Sequence, residues 1–465
     1  MAGLKKKYVG WLLVVLGFVS CDFGDTNIDP TSFADVNVSL LLPSAQAQTV
    51  KNLSSIGLRV TGSVIQHFEG IEAQTETYTS YLINENELDQ YWRTGLYAAA
   101  LRDSHLIINK SDGRYPHYEG VAKILIAINL GIATTFWGDV PYSDAFVEDN
   151  NTPKYDEQYQ IYERIQELLG AAILDLAAPS ELEPRRDDLI FGGDIDAWVA
   201  TARALQARYY LHLSKRDPEA ANKALAAIGA GAELGIDNTP EFPYADNLNE
   251  ANPFARFGED RPNQLALGDF MTSILSSTND PRMSVYSVFS NGVNLLYDRD
   301  NSQLYWGQFD APMALTTVTE VQFIKAECYL RQGNEAQAEQ MLQQAIESSM
   351  DGLGISKPEI DTFLIHLPQL TTLSGFEEQL QLIIEQKYVA QFVQGSIESW
   401  VDYRRTGYPV LIPPSNANES FNPTKVVPRR YLYPISERIT NADNLQQAIQ
   451  RQGGHLLDID MWAFK

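Results

Sequence analysis

The sequence is poor in the residues that build disulfides, metal centres and nucleic-acid surfaces. Its 465 residues include only two cysteines, Cys21 and Cys328, and six histidines that follow no metal-ligand spacing. We therefore expect neither a disulfide nor a metal site. Basic residues are also scarce, because 35 Lys and Arg stand against 60 Asp and Glu, a net charge of -25. Such a field repels polyanions, which argues against nucleic acid as a partner.

Motifs of the common enzyme classes are also missing. The chain contains no HExxH, P-loop, nucleophile elbow or Cys-x-x-Cys pair. Glu72, Glu259 and Asp260 could supply the paired carboxylates of a glycosidase, but these need a defined separation that a sequence does not provide. With 60 acidic residues, such pairs also arise by chance. We expect no enzymatic activity and no cofactor, with a hydrolase as the alternative.

The N-terminal segment has the pattern of a lipoprotein signal peptide. Lys5, Lys6 and Lys7 precede an apolar run over residues 8–19, which is shorter than the roughly 20 residues of a transmembrane helix. Phe18-Val19-Ser20-Cys21 resembles a bacterial lipobox, although Phe18 replaces the usual aliphatic residue. This resemblance implies a signal peptide over 1–20, acylation of Cys21 by palmitate or a similar chain, and a polar tether over 21–39. The alternative is an ordinary secretory signal with a chance cysteine.

The rest of the chain is dominated by helical patterns. Apolar residues recur at steps of three or four over several segments, and Asp194 is a plausible N-cap for one of them. A hairpin over 319–348, with its turn at Gly333-Asn334, has the spacing of small and large residues typical of a tetratricopeptide repeat. The predicted helix pairs are 121–135 with 161–176, 194–209 with 218–228, the two halves of 319–348, and 377–394 with a following helix around Trp400.

Two long segments between these pairs lack helical periodicity. Residues 230–263 and 284–315 are rich in Asn, Gly, Pro and Asp, yet they contain many aromatics. Structureless loops of this length usually have a functional reason. We expect Trp137, Trp198 and Trp400 to pack in the framework, Cys328 to be a buried apolar residue, and His67 and His212 to be packed or surface residues.

Short segments spread over the chain carry a family resemblance. In order they are Gly24-Asp25-Thr26-Asn27, Leu42-Pro43-Ser44-Ala45-Gln46, Tyr91-Trp92-Arg93, Phe136-Trp137-Gly138-Asp139-Val140-Pro141-Tyr142, Asn279-Asp280-Pro281-Arg282, Glu385-Gln386-Lys387-Tyr388, Glu398-Ser399-Trp400, Arg404-Arg405-Thr406-Gly407, Pro428-Arg429-Arg430 and Tyr433-Pro434. Each is weak alone, but in this order they make the whole mature chain resemble the SusD/RagB family of Bacteroidetes surface lipoproteins.

This resemblance implies a mainly α fold in a single domain over 40–465. About four tetratricopeptide-like helix pairs would carry loop-rich excursions on the opposite side. It also implies an outer-membrane protein, lipid-anchored at the cell surface, that acts as a lid on a SusC-like TonB-dependent transporter. Members of the family take up oligosaccharides or, in some cases, peptides, and they are not catalysts.

Sugar capture uses aromatic faces that stack on sugar rings and polar side chains that bond the hydroxyls. The resemblance implies ligand contacts in the early segment around Tyr91-Trp92 and in the excursion over 284–315, which precedes the repeat over 319–348. The candidates are Gln74, Tyr78, Trp92, Arg93, Tyr297, Tyr305, Trp306 and Phe309. The alternative for Trp92 is that it packs in the core and does not contact ligand. Trp306 lies in a polar loop and is expected to be exposed. A scaffold whose helical face grips another protein is a further alternative, against which the aromatic loops argue.

Overall fold

A computed structural model of the protein describes residues 37–231, 233–298, 301 and 303–465. Residues Val38–Lys465 form one compact unit. The predicted signal peptide, Cys21 and nearly all of the predicted tether lie outside the described residues. The first helix begins at Val38, two residues before the predicted start of the body.

Helices make up most of the described chain, as expected. A π-helical segment, Tyr91–Leu101, runs directly into one of them. The α-helices are α1 Val38–Ser54, α2 Ile56–Val64, α3 Gln74–Thr79, α4 Arg102–Ser111, α5 Pro116–Trp137, α6 Gln158–Leu176, α7 Ile195–His212, α8 Ala220–Ile228, α9 Pro253–Asp260, α10 Asp269–Ser277, α11 Met283–Tyr286, α12 Val318–Arg331, α13 Glu335–Asp351, α14 Lys357–His366, α15 Phe376–Ala390, α16 Ser396–Thr406, α17 Ile435–Thr440 and α18 Ala442–Gln452.

Four helix pairs form the body of the described chain. The helix α1 packs on the segment formed by Tyr91–Leu101 and α4, and α5 with α6, α7 with α8, and α12 with α13 form the other three pairs. This confirms the mainly α, tetratricopeptide-like fold. The predicted ends are also confirmed: Asp194 accepts a hydrogen bond from the Ala197 backbone, and Gly333 adopts a left-handed φ of 74° in the turn before α13.

The helix α5 is the centre of the core. It starts at Pro116, which has no backbone N–H to lose, and ends at Gly138 with a left-handed φ of 83°. Its length and mean hydropathy would suit a membrane span, but 94% of its most apolar window is buried inside the fold. A helix that is apolar on all sides is stable only when neighbours surround it, so α5 is a core helix.

The two aromatic excursions are not structureless, and this expectation was wrong. They contain α9 and the short strands β2 Glu241–Phe242, β4 Val288–Ser290, β5 Val293–Leu295 and β6 Met313–Ala314. Among the described residues, β1 Phe68–Gly70 and β3 Leu265–Leu267 lie outside the excursions. One antiparallel sheet has the order β1-β3-β5-β4, and β2 pairs with β6. Strands of two or three residues are too short to show an alternating pattern, but their pairing satisfies buried backbone groups.

The short segments that carried the resemblance meet in one core. The indole of Trp137 donates to the Leu432 carbonyl over 2.9 Å, and that of Trp400 donates to the Pro428 carbonyl over 2.8 Å. The guanidinium of Arg430 donates to the Trp137 carbonyl over 2.9 Å. These side chains and Trp198 are fully buried, which confirms the packing role of the three tryptophans.

The smaller expectations about the core are confirmed as well. Cys328 is buried among apolar side chains from α7, α8 and α12. Burial raises the pKa of its thiol to about 12, so the thiol stays protonated and unreactive at neutral pH. His67 and His212 are both buried and hydrogen-bonded.

Candidate ligand-binding surface

The contact of β1 and α3 with β3 and the residues just before it brings distant parts of the chain together. The strand β1 pairs with β3, and just beyond it the Ile71 backbone donates to the Gln264 carbonyl over 3.0 Å. The hydroxyl of Thr75 donates to the same carbonyl over 2.8 Å. These bonds hold α3 beside the segment that follows α9.

Two predicted contact residues converge on one carboxylate here. Gln74 Nε2 and Tyr78 Oη both donate to Glu87 Oε1, over 2.6 and 2.7 Å. Gln74 is exposed and Glu87 is half-buried, whereas Tyr78 is buried. Burial, followed by the hydrogen bond to Glu87, raises the pKa of Tyr78 well above its usual value. The phenol therefore remains a hydrogen-bond donor at neutral pH.

A pair of arginines on one ring completes this region. The guanidinium carbon of Arg59 lies 4.2 Å from the centre of the Phe257 ring, and that of Arg261 lies 5.4 Å from it. Both are cation–π distances. Burial and, to a smaller extent, the charge of Arg261 lower the pKa of Arg59 to about 10, while Tyr78 acts in the opposite direction. The interaction with Tyr78 places it in the same cluster.

Tyr297 adjoins the arginines through α9. Its ring lies so close to Gly258 that a Cβ there would come within 2.4 Å of it, and its hydroxyl donates to Glu259 over 2.5 Å. Tyr297, Phe257 and Arg261 line the same small depression. We call the group Arg59, Gln74, Tyr78, Phe257, Arg261 and Tyr297 the arginine–aromatic surface.

A larger cleft lies at the C-terminal end of α3, where Thr79, the residue after Tyr78, forms part of its wall. Its volume is about 420 Å³, within the range of about 300–1,000 Å³ typical of ligand pockets. Its walls include Ser63, Glu69, Thr79, Asp269, Phe270 and Ile412. Burial and then the neighbouring Asp269 raise the pKa of Glu69. Ring, hydroxyl and carboxyl groups in one cleft suit a polyhydroxylated ligand.

Trp306 does not have the exposure that its polar surroundings predicted. It is 8% exposed, because Tyr305 covers one edge of its ring at a centroid distance of 4.9 Å. Both line a cleft of about 170 Å³ together with Tyr286, which is small for a sugar. The indole nitrogen of Trp306 is buried and has no hydrogen-bond partner among the described residues. Phe309 is half-buried nearby in sequence, with its carbonyl accepting from Asn252.

Trp92 is a core residue, so its assignment to ligand stacking is corrected. It is 2% exposed, and Trp137 packs edge-on against it at 4.8 Å. Its indole donates to Glu437 over 3.2 Å. The next residue, Arg93, is exposed and pairs with Asp89 over 3.4 Å on the surface. The C-terminal part of the chain packs over the Trp92 ring. The sequence around Trp92 does not reveal this packing.

Sequence reasoning missed Arg59, Phe257 and Arg261. Arg59 lies about 200 residues before the other two in the chain, and no local motif surrounds any of them. Nothing in the composition singles them out either. Within the described residues, no group of three or more His, Cys, Asp or Glu side chains is placed to hold a metal ion.

Comparison with known proteins agrees with this architecture. Residues 30–434 match the SusD-like family described as "Starch-binding associating with outer membrane". A solved chitin-binding protein is 24% identical with a TM-score of 0.77, over 92% of this chain and 100% of that chain. A SusD/RagB family protein from Bacteroides thetaiotaomicron is 21% identical with a TM-score of 0.77, over 92% and 99%.

A third solved structure, a chitin-binding SusD homolog from Flavobacterium johnsoniae, is 21% identical with a TM-score of 0.73, over 91% of this chain and 98% of that chain. At these identities the likeness to the solved structures concerns the fold. Among curated proteins no match was found.

Proposed function

Because this chain belongs to the SusD-like family, we propose that it is a nutrient-binding lipoprotein of the outer membrane that captures oligosaccharides. The observation that carries the proposal is the convergence of Gln74 and Tyr297 with Phe257 and two arginines on one surface, where the buried Tyr78 shares the Glu87 carboxylate with Gln74. Half-buried rings offer faces to sugars, and amide, phenol and guanidinium groups bond hydroxyls. The adjoining cleft of about 420 Å³ provides room for a further sugar unit.

We propose delivery to a SusC-like TonB-dependent transporter as the second part of this function. The family description places its members at the outer membrane, and capture without catalysis is useful only if the ligand is passed on. Cys21 would attach the protein by its lipid, and the short tether after it would keep the binding body beside the transporter. The protein would then face the cell exterior.

Peptide capture is the alternative within the same family. Polar groups and rings also bind peptides, but an extended peptide is usually gripped by backbone pairing along a strand edge. The strands of the described residues are two or three residues long, which favours sugars over such pairing. A scaffold without a small ligand would have no use for a cleft of this size.

Binding of a glycan panel to the full chain in detergent tests the proposal. We expect saturable binding of at least one oligosaccharide class without release of smaller sugars. Phe257→Ala should weaken it up to about tenfold, because a stacking contact contributes roughly 0.5–1.5 kcal/mol. Phe376→Ala is the matched control, since Arg331 lies over that ring at 5.7 Å outside the surface. Absence of binding, or continuous release of small sugars, would overturn the proposal.

A further inference from the structure

We propose that the oligosaccharide bound at the arginine–aromatic surface is acidic, and that Arg59 and Arg261 bind its carboxylate or sulfate group. This inference rests on the proposed function and specifies its substrate class. It is carried by two neighbouring guanidinium groups that have no anionic partner in the described chain.

Arg59 lacks the partners that most arginines of the interior have, and in the described chain Arg203 is a second arginine whose Nε is buried without a hydrogen bond. Arg208, Arg282 and Arg405 each form an ion pair with a carboxylate at 2.5 or 2.6 Å. Arg404, which has no such pair, donates instead to the carbonyls of Thr135 and Arg429. The side chain of Arg59 has neither kind of partner in the described chain, and its Nε is buried without a hydrogen bond.

Arg261 increases the local positive charge. It is exposed at the end of α9, forms no ion pair with the described residues, and shares the Phe257 ring with Arg59. Two like charges held on one ring repel each other, and a partly buried cation without a counter-charge is costly. A ligand anion between them would remove both costs through charge-assisted hydrogen bonds, which the planar guanidinium makes two at a time.

The carboxylates of this region are engaged elsewhere. Glu87 accepts hydrogen bonds from Gln74 and Tyr78, and Glu259 accepts one from Tyr297. Neither forms an ion pair with Arg59 or Arg261 among the contacts of the described chain. In a protein with 60 acidic residues and 35 basic ones, two such arginines side by side are unexpected unless they have a ligand.

The surrounding groups favour a sugar as the carrier of the charge. The Phe257 ring and the Tyr297 ring offer apolar faces beside the guanidinium groups, and the exposed Gln74 amide can bond hydroxyls. The net charge of -25 would repel an anion at long range, but salt screens that field beyond about 8–10 Å. At contact distance the two arginines dominate.

Titration calorimetry with the full chain tests the inference. The probes are oligogalacturonate for a carboxylate, a carrageenan oligosaccharide for a sulfate, and chitin and malto-oligosaccharides as neutral ligands. We expect an acidic probe to bind more tightly than the neutral ones and to lose affinity as salt is raised. Arg261→Gln and Arg59→Gln should each weaken it by about tenfold or more, the loss expected for a hydrogen bond to a charged group.

The control is Arg256→Gln, which removes an arginine on the same helix that is already paired with Asp260 over 3.0 Å. It should bind as the wild type does. Arg59→Lys, which keeps the charge, should recover part of the affinity if Arg59→Gln loses it.

The outcomes separate the two proposals. If neutral oligosaccharides bind equally well or better, or if the arginine variants bind an acidic probe normally, the acidic-ligand inference is overturned while oligosaccharide capture stands. If none of the probes binds, both are overturned. If a carboxylate probe binds and a sulfate probe does not, or the reverse, the anion is identified.

Discussion

Arg405 and Glu327 form a fully buried, two-pronged ion pair, with both N–O distances at 2.5 Å. Arg405 also pairs with Asp402 at 2.6 Å, and Asp402 pairs with Lys387 at 2.9 Å. This network joins α12 to α15 and α16, and therefore connects the last helix pair to the rest of the body. Burial opposes ionisation of Glu327, but Arg405 and the neighbouring cations prevail and hold its pKa far below the usual value.

Removing one partner of this pair should destabilise the fold strongly. Glu327→Gln leaves the Arg405 charge undercompensated in the interior, and we expect a loss of about 3–5 kcal/mol in the free energy of unfolding by urea. Glu167→Gln is the control, because Glu167 pairs with Arg164 on the surface, where both side chains are about half exposed. Its cost should stay below about 0.5 kcal/mol. Equal losses in the two variants would contradict this account.

His67 should make the protein less stable as the pH falls. Its Nε2 donates to the Tyr388 carbonyl and its Nδ1 shares a hydrogen bond with the Ser396 hydroxyl, each over 2.9 Å. Burial lowers its pKa from 6.5 to about 3. The unfolded chain therefore takes up this proton below about pH 6.5 while the folded chain does not, and stability falls from there towards about pH 3.

The measurement is the free energy of unfolding between about pH 6.5 and pH 5, a window in which unfolded histidines begin to titrate. His67→Gln should have a shallower slope than the wild type. His366→Gln, which changes an exposed histidine, should keep the wild-type slope. Identical slopes for His67→Gln and wild type would show that the ring is not held neutral.

The close approach of α5 and α7 depends on Gly131. A Cβ at this position would lie 2.1 Å from the Tyr209 hydroxyl and 2.5 Å from its ring. Gly131→Ala should therefore cost about 1–3 kcal/mol through overpacking. Adding Tyr209→Phe, which removes the nearest atom, should recover part of this loss.

Gly170 on α6 provides the contrasting case. A Cβ there would meet nothing closer than the Gln206 amide at 4.0 Å, so Gly170→Ala should stabilise the protein by about 0.5–1 kcal/mol through helix propensity. Thermal or urea unfolding of both variants checks the pair. A stabilising Gly131→Ala would mean that the two helices can separate at little cost.

Cys21 should be needed for membrane retention and not for ligand binding. Cys21→Ala removes the proposed acylation site, so the protein should move from the membrane fraction to the soluble fraction in cells that process lipoproteins. Oligosaccharide affinity should stay at its wild-type value, because the binding surface lies in the compact unit after Val38. Membrane retention of the variant would show that another part of the protein binds the membrane.

Much of the body was predictable from local patterns. The helices α5, α6, α7, α12 and α13 follow from apolar spacing, and Asp194 and Gly333 mark helix ends, because caps and left-handed turns depend on a few consecutive residues. The ordered short segments also indicated the family. The burial of Trp137, Trp198 and Trp400 followed from their place in these segments.

What the sequence by itself determined is thus the helical framework and its family. Only the tertiary structure decided which aromatic rings are covered and which polar groups meet. Trp92 is buried because Trp137 and Glu437, which are distant in the sequence, pack against it, and Trp306 is only 8% exposed although it lies in a polar segment. Arg59 and Arg261 meet on Phe257 because β1 pairs with β3 across about 200 residues. Helices form from nearby residues, whereas a binding surface forms from contacts that only the packed chain defines.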